Sequence, residues 1–117
     1  MQFTRRERDC MEKVADAGSI NLTKLSSALG IRKQILEKDK NNLIILTSLG
    51  RKYAGDMAFR HRVLETLFAK NGVPLGEACR ECRKIDFILS EETVIDIFNK
   101  LKKPSRCPHG KPIATSI

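Results

Sequence analysis

The chain has 117 residues, which suffices for one domain, or two small ones, with a modest hydrophobic core. Its formal net charge of +8 at pH 7 indicates an anionic partner, such as DNA or a membrane surface. No apolar run approaches a transmembrane span, and charged residues follow Met1-Gln2-Phe3 at once, so we expect a cytoplasmic protein. The four cysteines are then expected as free thiols or metal ligands.

Two helices are predicted at the start of the chain. Thr4 is a candidate N-cap with Glu7 three residues later, which makes a capping box, and the helix should run to about Ala17 and end at Gly18. A shorter helix over 21–30 has leucines at spacings of three and four and ends in glycine. This second helix is typical of the first helix of a helix-turn-helix.

The segment after this helix can be interpreted in two ways. In the preferred one, residues 35–47 form a β-hairpin wing around the turn-forming pair Asn41-Asn42, and a recognition helix is missing. In the other, residues 32–40 form a stub of that helix and the wing is reduced to one strand. In both interpretations, basic residues are available to contact DNA phosphates, and such contacts position a protein on DNA without reading its sequence. These residues are Arg32, Lys33, Lys38 and Lys40.

Three more helices are predicted in the second half of the chain. One begins at Thr47 or Ser48 and runs to about Lys70, and the next covers roughly residues 75–89. Ser90 caps the last helix, with acidic residues in its first turn. That helix has more apolar residues than a small domain needs, so part of it is expected to form a dimer interface: Val94, Ile95, Phe98 and Leu101.

Residues that bind transition metals well are concentrated after position 60. His61 and Glu65 are four residues apart, and Cys79 and Cys82 are three apart, so each pair shares one face of a helix. Imidazole, carboxylate and thiolate together suit iron, zinc, manganese or nickel better than magnesium or calcium.

The order of motifs resembles a known family. Arg60-His61-Arg62-x-x-Glu65, a helix ending before Ser90-Glu91-Glu92, and then Cys107-Pro108-His109-Gly110-x-Pro112-Ile113 resemble the dimerisation and metal-binding region of the iron-dependent repressor (diphtheria toxin repressor) family. The resemblance implies a mainly α fold. Residues 1–47 would be a truncated winged-helix-like DNA-binding segment with a small β wing, and residues 48–117 a helical dimerisation and metal-binding domain.

The function implied by this resemblance is that of a metal-responsive transcriptional repressor. The protein would act as a homodimer on double-stranded DNA with iron or manganese, and zinc or an iron–sulfur cluster would be the alternatives. One family site maps onto His61, Glu65 and Cys79. The positions of the second site hold Arg83, Asp86 and Phe87, of which only Asp86 can ligate a metal, so the resemblance implies that this site is dismantled.

The cysteines also allow a different site. Cys79 and Cys82 with Cys107 and His109 would supply three thiolates and one imidazole, and Cys10 in place of His109 would make four thiolates. Zinc takes such sets in closed tetrahedral sites, and an iron–sulfur cluster takes four thiolates. Basic neighbours would lower the thiol pKa values, which allows a redox-sensing role.

A second hypothesis follows from the short 31–45 segment. The protein would be a metal- or redox-binding dimerisation module that has lost specific DNA recognition and acts through a protein partner, for example as a heterodimer with a full-length relative. Packing or surface roles for the same histidines and cysteines remain open. No catalytic constellation is present in the sequence, so an enzyme is not expected.

Overall fold

The computed structural model describes residues 3–21 and 33–113; the predicted helix over 21–30 therefore lies almost wholly outside the described residues, as does Arg32. Contacts divide the chain into two compact units, Phe3–Gly55 and Asp56–Ile117. The described part is mainly helical with one small antiparallel sheet, so the predicted fold class is confirmed. None of the described helices is both long and apolar enough to cross a membrane.

Helix α1 spans Arg5–Ala17 and begins and ends where the sequence predicts. The Thr4 hydroxyl accepts a hydrogen bond from the Glu7 backbone N–H at 3.1 Å, and the Glu7 carboxylate accepts one from the Thr4 N–H at 3.2 Å. Gly18 then adopts a φ of 81°, which suits glycine, and its N–H caps the helix end. The buried apolar face comprises Cys10, Met11 and Val14.

A β-hairpin follows, with strand β1 at Leu36–Lys38 and strand β2 at Ile44–Leu46. Leu36 pairs with Leu46 in an antiparallel register. The Asp39 carboxylate accepts hydrogen bonds from two backbone N–H groups of the turn, and Asn42 takes a φ of 61°, which asparagine tolerates. The hairpin interpretation is therefore confirmed, and a helical stub reaching residue 40 is wrong because residues 36–38 are a strand.

Helix α2, Ser48–Lys70, is the longest described element and runs through the boundary of the two units. Thr47 caps it, since its hydroxyl accepts a hydrogen bond from the Gly50 N–H at 2.9 Å. Gly50 lies against the backbone of Ile35, where a Cβ atom would overlap the carbonyl oxygen. Glycine is required there because the start of α2 packs directly on the segment before the hairpin.

Helices α3 and α4 span Leu75–Ile85 and Glu91–Lys100. The Ser90 hydroxyl accepts a hydrogen bond from the Thr93 N–H at 3.2 Å, which confirms the predicted cap of α4. The prediction that α3 reaches residue 89 is wrong. The regular helix ends at residue 85, after which the Ile88 N–H bonds to the Ile85 carbonyl. Asp86 keeps a helical hydrogen bond from its N–H to the Cys82 carbonyl, and both residues are fully buried.

The core of the second unit joins α2, α4 and the C-terminal segment. Its buried members are Phe59, Val63, Val94, Phe98, Cys107 and Ile113. Phe59 and Phe98 meet edge to face with ring centroids 5.3 Å apart. Val94 and Phe98, which were predicted at a dimer interface, are buried in the core of their own chain. Ile95 and Leu101, which were predicted there too, are half-buried.

Candidate metal centre

His61 and Glu65 lie one turn apart on α2 and face the same side of it. The side chain of His61 is 15% exposed and that of Glu65 only 1%. The Nε2 atom of His61 lies 3.2 Å from the Oε2 atom of Glu65. A carboxylate so deeply buried requires a hydrogen-bond donor or a cation as its partner.

Asp86 fixes the orientation of the His61 ring. Its Oδ2 atom lies 3.0 Å from His61 Nδ1, and the side chain of Asp86 has no exposed surface. A buried carboxylate at this distance accepts the Nδ1 proton, which leaves Nε2 as the atom available to a metal. Metal-binding histidines commonly have such a carboxylate behind them.

Cys79 completes a group of three ligand atoms at this position. Its Sγ atom lies 3.4 Å from His61 Nε2. The ligand atoms of His61, Glu65 and Cys79 all lie within 4.8 Å of one another. Ligands held about 2.0–2.3 Å from a tetrahedral zinc lie roughly 3.3–3.7 Å from each other, so the observed spacings fit a bound transition metal.

A second group uses the other oxygen of Glu65. The Nδ1 atom of His109 lies 2.6 Å from Glu65 Oε1, and the ligand atoms of Glu65, Cys107 and His109 lie within 4.8 Å of one another. A tight turn presents the last two residues: the Gly110 N–H bonds to the Cys107 carbonyl, and Gly110 takes a φ of 82°. The Arg62 guanidinium, which donates to the Pro112 carbonyl at 2.8 Å, holds this segment on α2.

The structure thus divides the proposed cysteine set. All four cysteines are free thiols, but Cys79 and Cys107 belong to different groups, and Cys82 is buried on α3 in neither of them. Cys10 lies in the first unit, where burial raises the pKa of its thiol despite the opposing effect of Lys13. A buried thiol that keeps its proton is a poor metal ligand.

Two features of the centre were missed in the sequence. The sequence indicates Asp86 only as the one possible ligand left in a dismantled site, yet it is the buried partner of His61. The shared position of Glu65 was also missed, because His109 is 44 residues away along the chain. Sequence spacing carries no signal for either contact, since both depend on how the segments after α2 fold back onto it.

The predicted DNA-binding residues lie in the first unit. Lys33 is exposed shortly before the hairpin, Lys38 ends β1, and Lys40 is in the turn. All three of these side chains are exposed, as contact with phosphates requires.

Comparison with known protein families gives a match over residues 47–115 to the iron dependent repressor, metal binding and dimerisation domain. The chain belongs to the iron-dependent repressor family. A comparison with functionally characterised proteins by sequence gives no significant match. The family match places the two ligand groups in a metal-binding domain, and together they confirm the predicted cofactor class, a divalent transition metal.

Solved structures of repressors share the fold. A manganese-dependent transcriptional repressor in complex with manganese has a TM-score of 0.78 at 23% identity, and covers 94% of this chain and 59% of its own. T. acidophilum IdeR has a TM-score of 0.69 at 23% identity, with coverages of 97% and 60%. The chain therefore spans about three fifths of the length of these two proteins.

Another solved structure matches this chain over nearly the whole length of both chains. A hypothetical protein from Sulfolobus solfataricus has a TM-score of 0.69 at 24% identity, and the match covers 95% of this chain and 96% of that one. The shared fold thus extends over nearly all of both chains.

Proposed function

We propose that this protein is a metal-responsive, DNA-binding transcriptional regulator that acts as a homodimer. The observation that carries the proposal is the His61 ring, which Asp86 holds with Nε2 toward Glu65 and Cys79. This arrangement lies within the matched metal-binding and dimerisation domain. The division into a DNA-binding segment, 1–47, and a dimerisation and metal-binding domain, 48–117, is part of the proposal.

The metal would be held by residues from three segments. His61 and Glu65 come from α2, Cys79 from α3, and Cys107 and His109 from the segment after α4. When bound, divalent metal supplies the positive charge that stabilises the buried Glu65 carboxylate, and it links α2 to the segments that contribute the other ligands. Because such a cross-link exists only in the folded domain, metal binding would stabilise the second unit.

Iron(II) is favoured over manganese(II) as the natural metal. Each ligand group contains a cysteine, and thiolates prefer iron, zinc or copper(I), whereas manganese prefers sites rich in oxygen ligands. The relatives with manganese in their titles are 18–23% identical to this chain, so their metal preference does not predict the preference of this protein.

The DNA contact would use the hairpin and its basic residues. Lys33, Lys38 and Lys40 are exposed, and Arg32 precedes them in sequence. Their contacts would be with phosphates and would give salt-dependent affinity. The dimer contact would use the half-buried apolar residues of α4, Ile95 and Leu101.

Selection of binding sites from random duplex DNA tests this function. Iron(II)-loaded protein, kept anaerobic, is used to enrich duplexes through several rounds, and the metal-free protein is the control. We expect one sequence to be enriched only with metal, with a two-fold symmetric pattern that reflects a homodimer. If no sequence is enriched and the protein binds all duplexes equally and in a salt-sensitive way, the proposal is overturned.

The short segment before the hairpin favours a second candidate function. Fourteen residues, 32–45, separate Gly30-Ile31 from Leu46-Thr47, and residues 36–46 of this stretch form the hairpin with its turn. Little sequence remains for a recognition helix, which normally carries base contacts. The protein would then be a metal-binding dimerisation module that pairs with a full-length relative. By itself it would bind DNA without sequence preference, and it would bind a specific sequence only after that relative is added.

A further inference from the structure

We propose that Glu65 bridges a pair of divalent metal ions of the thiolate-accepting class, one held by His61 and Cys79 and the other by Cys107 and His109. This inference rests on the proposed function only in that metal binds at these residues. It adds a second ion, the ligands Cys107 and His109 that hold it, and the bridging position of Glu65 between the two ions.

The first argument is the geometry of the Glu65 carboxylate. Its Oε2 atom lies 3.2 Å from His61 Nε2, and its Oε1 atom lies 2.6 Å from His109 Nδ1. The two oxygens therefore face two different imidazoles. A carboxylate in this position can give one oxygen to each of two ions, as bridging carboxylates do in two-metal sites with ions about 3.5–4 Å apart.

The second argument is the separation of the two groups. Within each group the ligand atoms lie within 4.8 Å of one another, but the five residues do not form a single such group. Ligands on one ion at about 2.0–2.3 Å are at most roughly 4.6 Å apart. One ion therefore cannot bind all five residues in this arrangement, whereas one ion in each group would use every ligand atom. In the second group, the ion would replace the 2.6 Å hydrogen bond between Glu65 Oε1 and His109 Nδ1.

The third argument is the matching chemistry of the two groups. Each has one imidazole, one thiol and one oxygen of Glu65. Such a set of nitrogen, sulfur and oxygen ligands selects zinc(II), iron(II) or cobalt(II) over magnesium, calcium or manganese. Three protein ligands leave room for water or a further ligand on each ion, and the His109 side chain, 41% exposed, opens the second group to solvent.

Cobalt(II) titration of the whole, metal-free chain tests the proposal, because cobalt–thiolate bonds give charge-transfer absorption that reports each cysteine separately. We expect two equivalents per chain. Cys79→Ser and Cys107→Ser should each leave one equivalent with about half of the thiolate absorption. Glu65→Gln should weaken both sites, since it removes the negative charge that the two ions share and replaces one of the two ligand oxygens with an amide nitrogen.

Two variants serve as controls. Cys82→Ala removes a buried cysteine outside both groups and should keep two equivalents. Glu81→Gln changes an exposed carboxylate that pairs with Lys84, and should also keep both. Circular dichroism of every variant shows that the chain is folded, and X-ray absorption of the zinc-loaded protein should reveal a second zinc at about 3.5–4 Å.

One equivalent per chain, lost equally in Cys79→Ser and Cys107→Ser, would overturn the two-ion centre and indicate a single ion. That result would leave the proposal of a metal-responsive regulator intact, because one bound ion is enough for metal to control the protein. Failure of the DNA selection with two ions bound would instead contradict the proposed function and leave the two-ion centre standing.

Discussion

The buried carboxylate of Asp86 lies 3.0 Å from the Nδ1 atom of His61, on the side of the ring opposite the metal-binding atom. It fixes which nitrogen carries the proton and makes the other a better ligand. We expect Asp86→Asn to lower the metal affinity by about 10- to 100-fold, because the ring loses a charged partner. Calorimetric metal titration measures the change, and Glu81→Gln is the matched control with an exposed carboxylate. Equal affinities for wild type and Asp86→Asn would contradict this role.

Two glycines of α2 give opposite predictions for the same substitution. A Cβ at Gly50 would overlap the carbonyl oxygen of Ile35, whereas a Cβ at Gly55 would have nothing within 4 Å. Gly55→Ala should raise the free energy of unfolding by about 0.5–1 kcal/mol through helix propensity. Gly50→Ala should lower it despite the same gain, since α2 must move away from Ile35. Urea denaturation measures both, and a stabilised Gly50→Ala variant would show that this contact is absent.

The basic hairpin predicts a specific salt dependence of DNA binding. Lys38 and Lys40 are exposed at the end of β1 and in the turn. If both contact phosphates, replacing both with glutamine should reduce the slope of log K against log salt by about 1.8, at roughly 0.9 per contact. Lys84→Gln changes an exposed lysine of α3 that pairs with Glu81, so it is the control and should keep the wild-type slope. An unchanged slope in the double variant would exclude the hairpin from the DNA contact.

The Cys10 thiol predicts a loss of stability at alkaline pH. Burial raises its pKa above the ordinary value of 9.0, so the folded protein keeps a proton that the unfolded chain releases. The stability linked to this proton is fully present below that ordinary value and is lost as pH rises toward the folded pKa. The free energy of unfolding should therefore fall less between about pH 8 and 10 in Cys10→Ala than in the wild type. The same pH dependence of the free energy of unfolding in both proteins would show that burial does not raise the pKa of the Cys10 thiol.

The parts of this structure that were predicted correctly depend on local sequence. The capping residues Thr4 and Ser90 act on backbone groups three residues away, and the Asp39 turn bonds to its own backbone. The end of α3 was missed because residues 86–89 continue its helical pattern in the sequence. The contact of the buried Asp86 with His61 was not predicted either. That contact joins positions 25 residues apart, so no periodicity reveals it.

The candidate site shows the same division between local and long-range information. His61 and Glu65 share a helix face and were paired from their spacing alone. The contact between Glu65 and His109 spans 44 residues and requires the C-terminal segment to fold onto α2. The cysteine set was grouped by residue type, yet Cys79 and Cys107 lie in different groups and Cys82 in neither.

The most direct test is the affinity for the selected duplex with and without iron(II), in the wild type and in Glu65→Gln. Glu65 is the one residue common to both ligand groups in the described part of the chain. Metal should tighten binding by the wild type about 5- to 150-fold, the usual range of coupling between two sites, and should have little effect on the variant. Equal affinity of the wild type with and without metal, or a full metal response in Glu65→Gln, would contradict a regulator controlled by this centre.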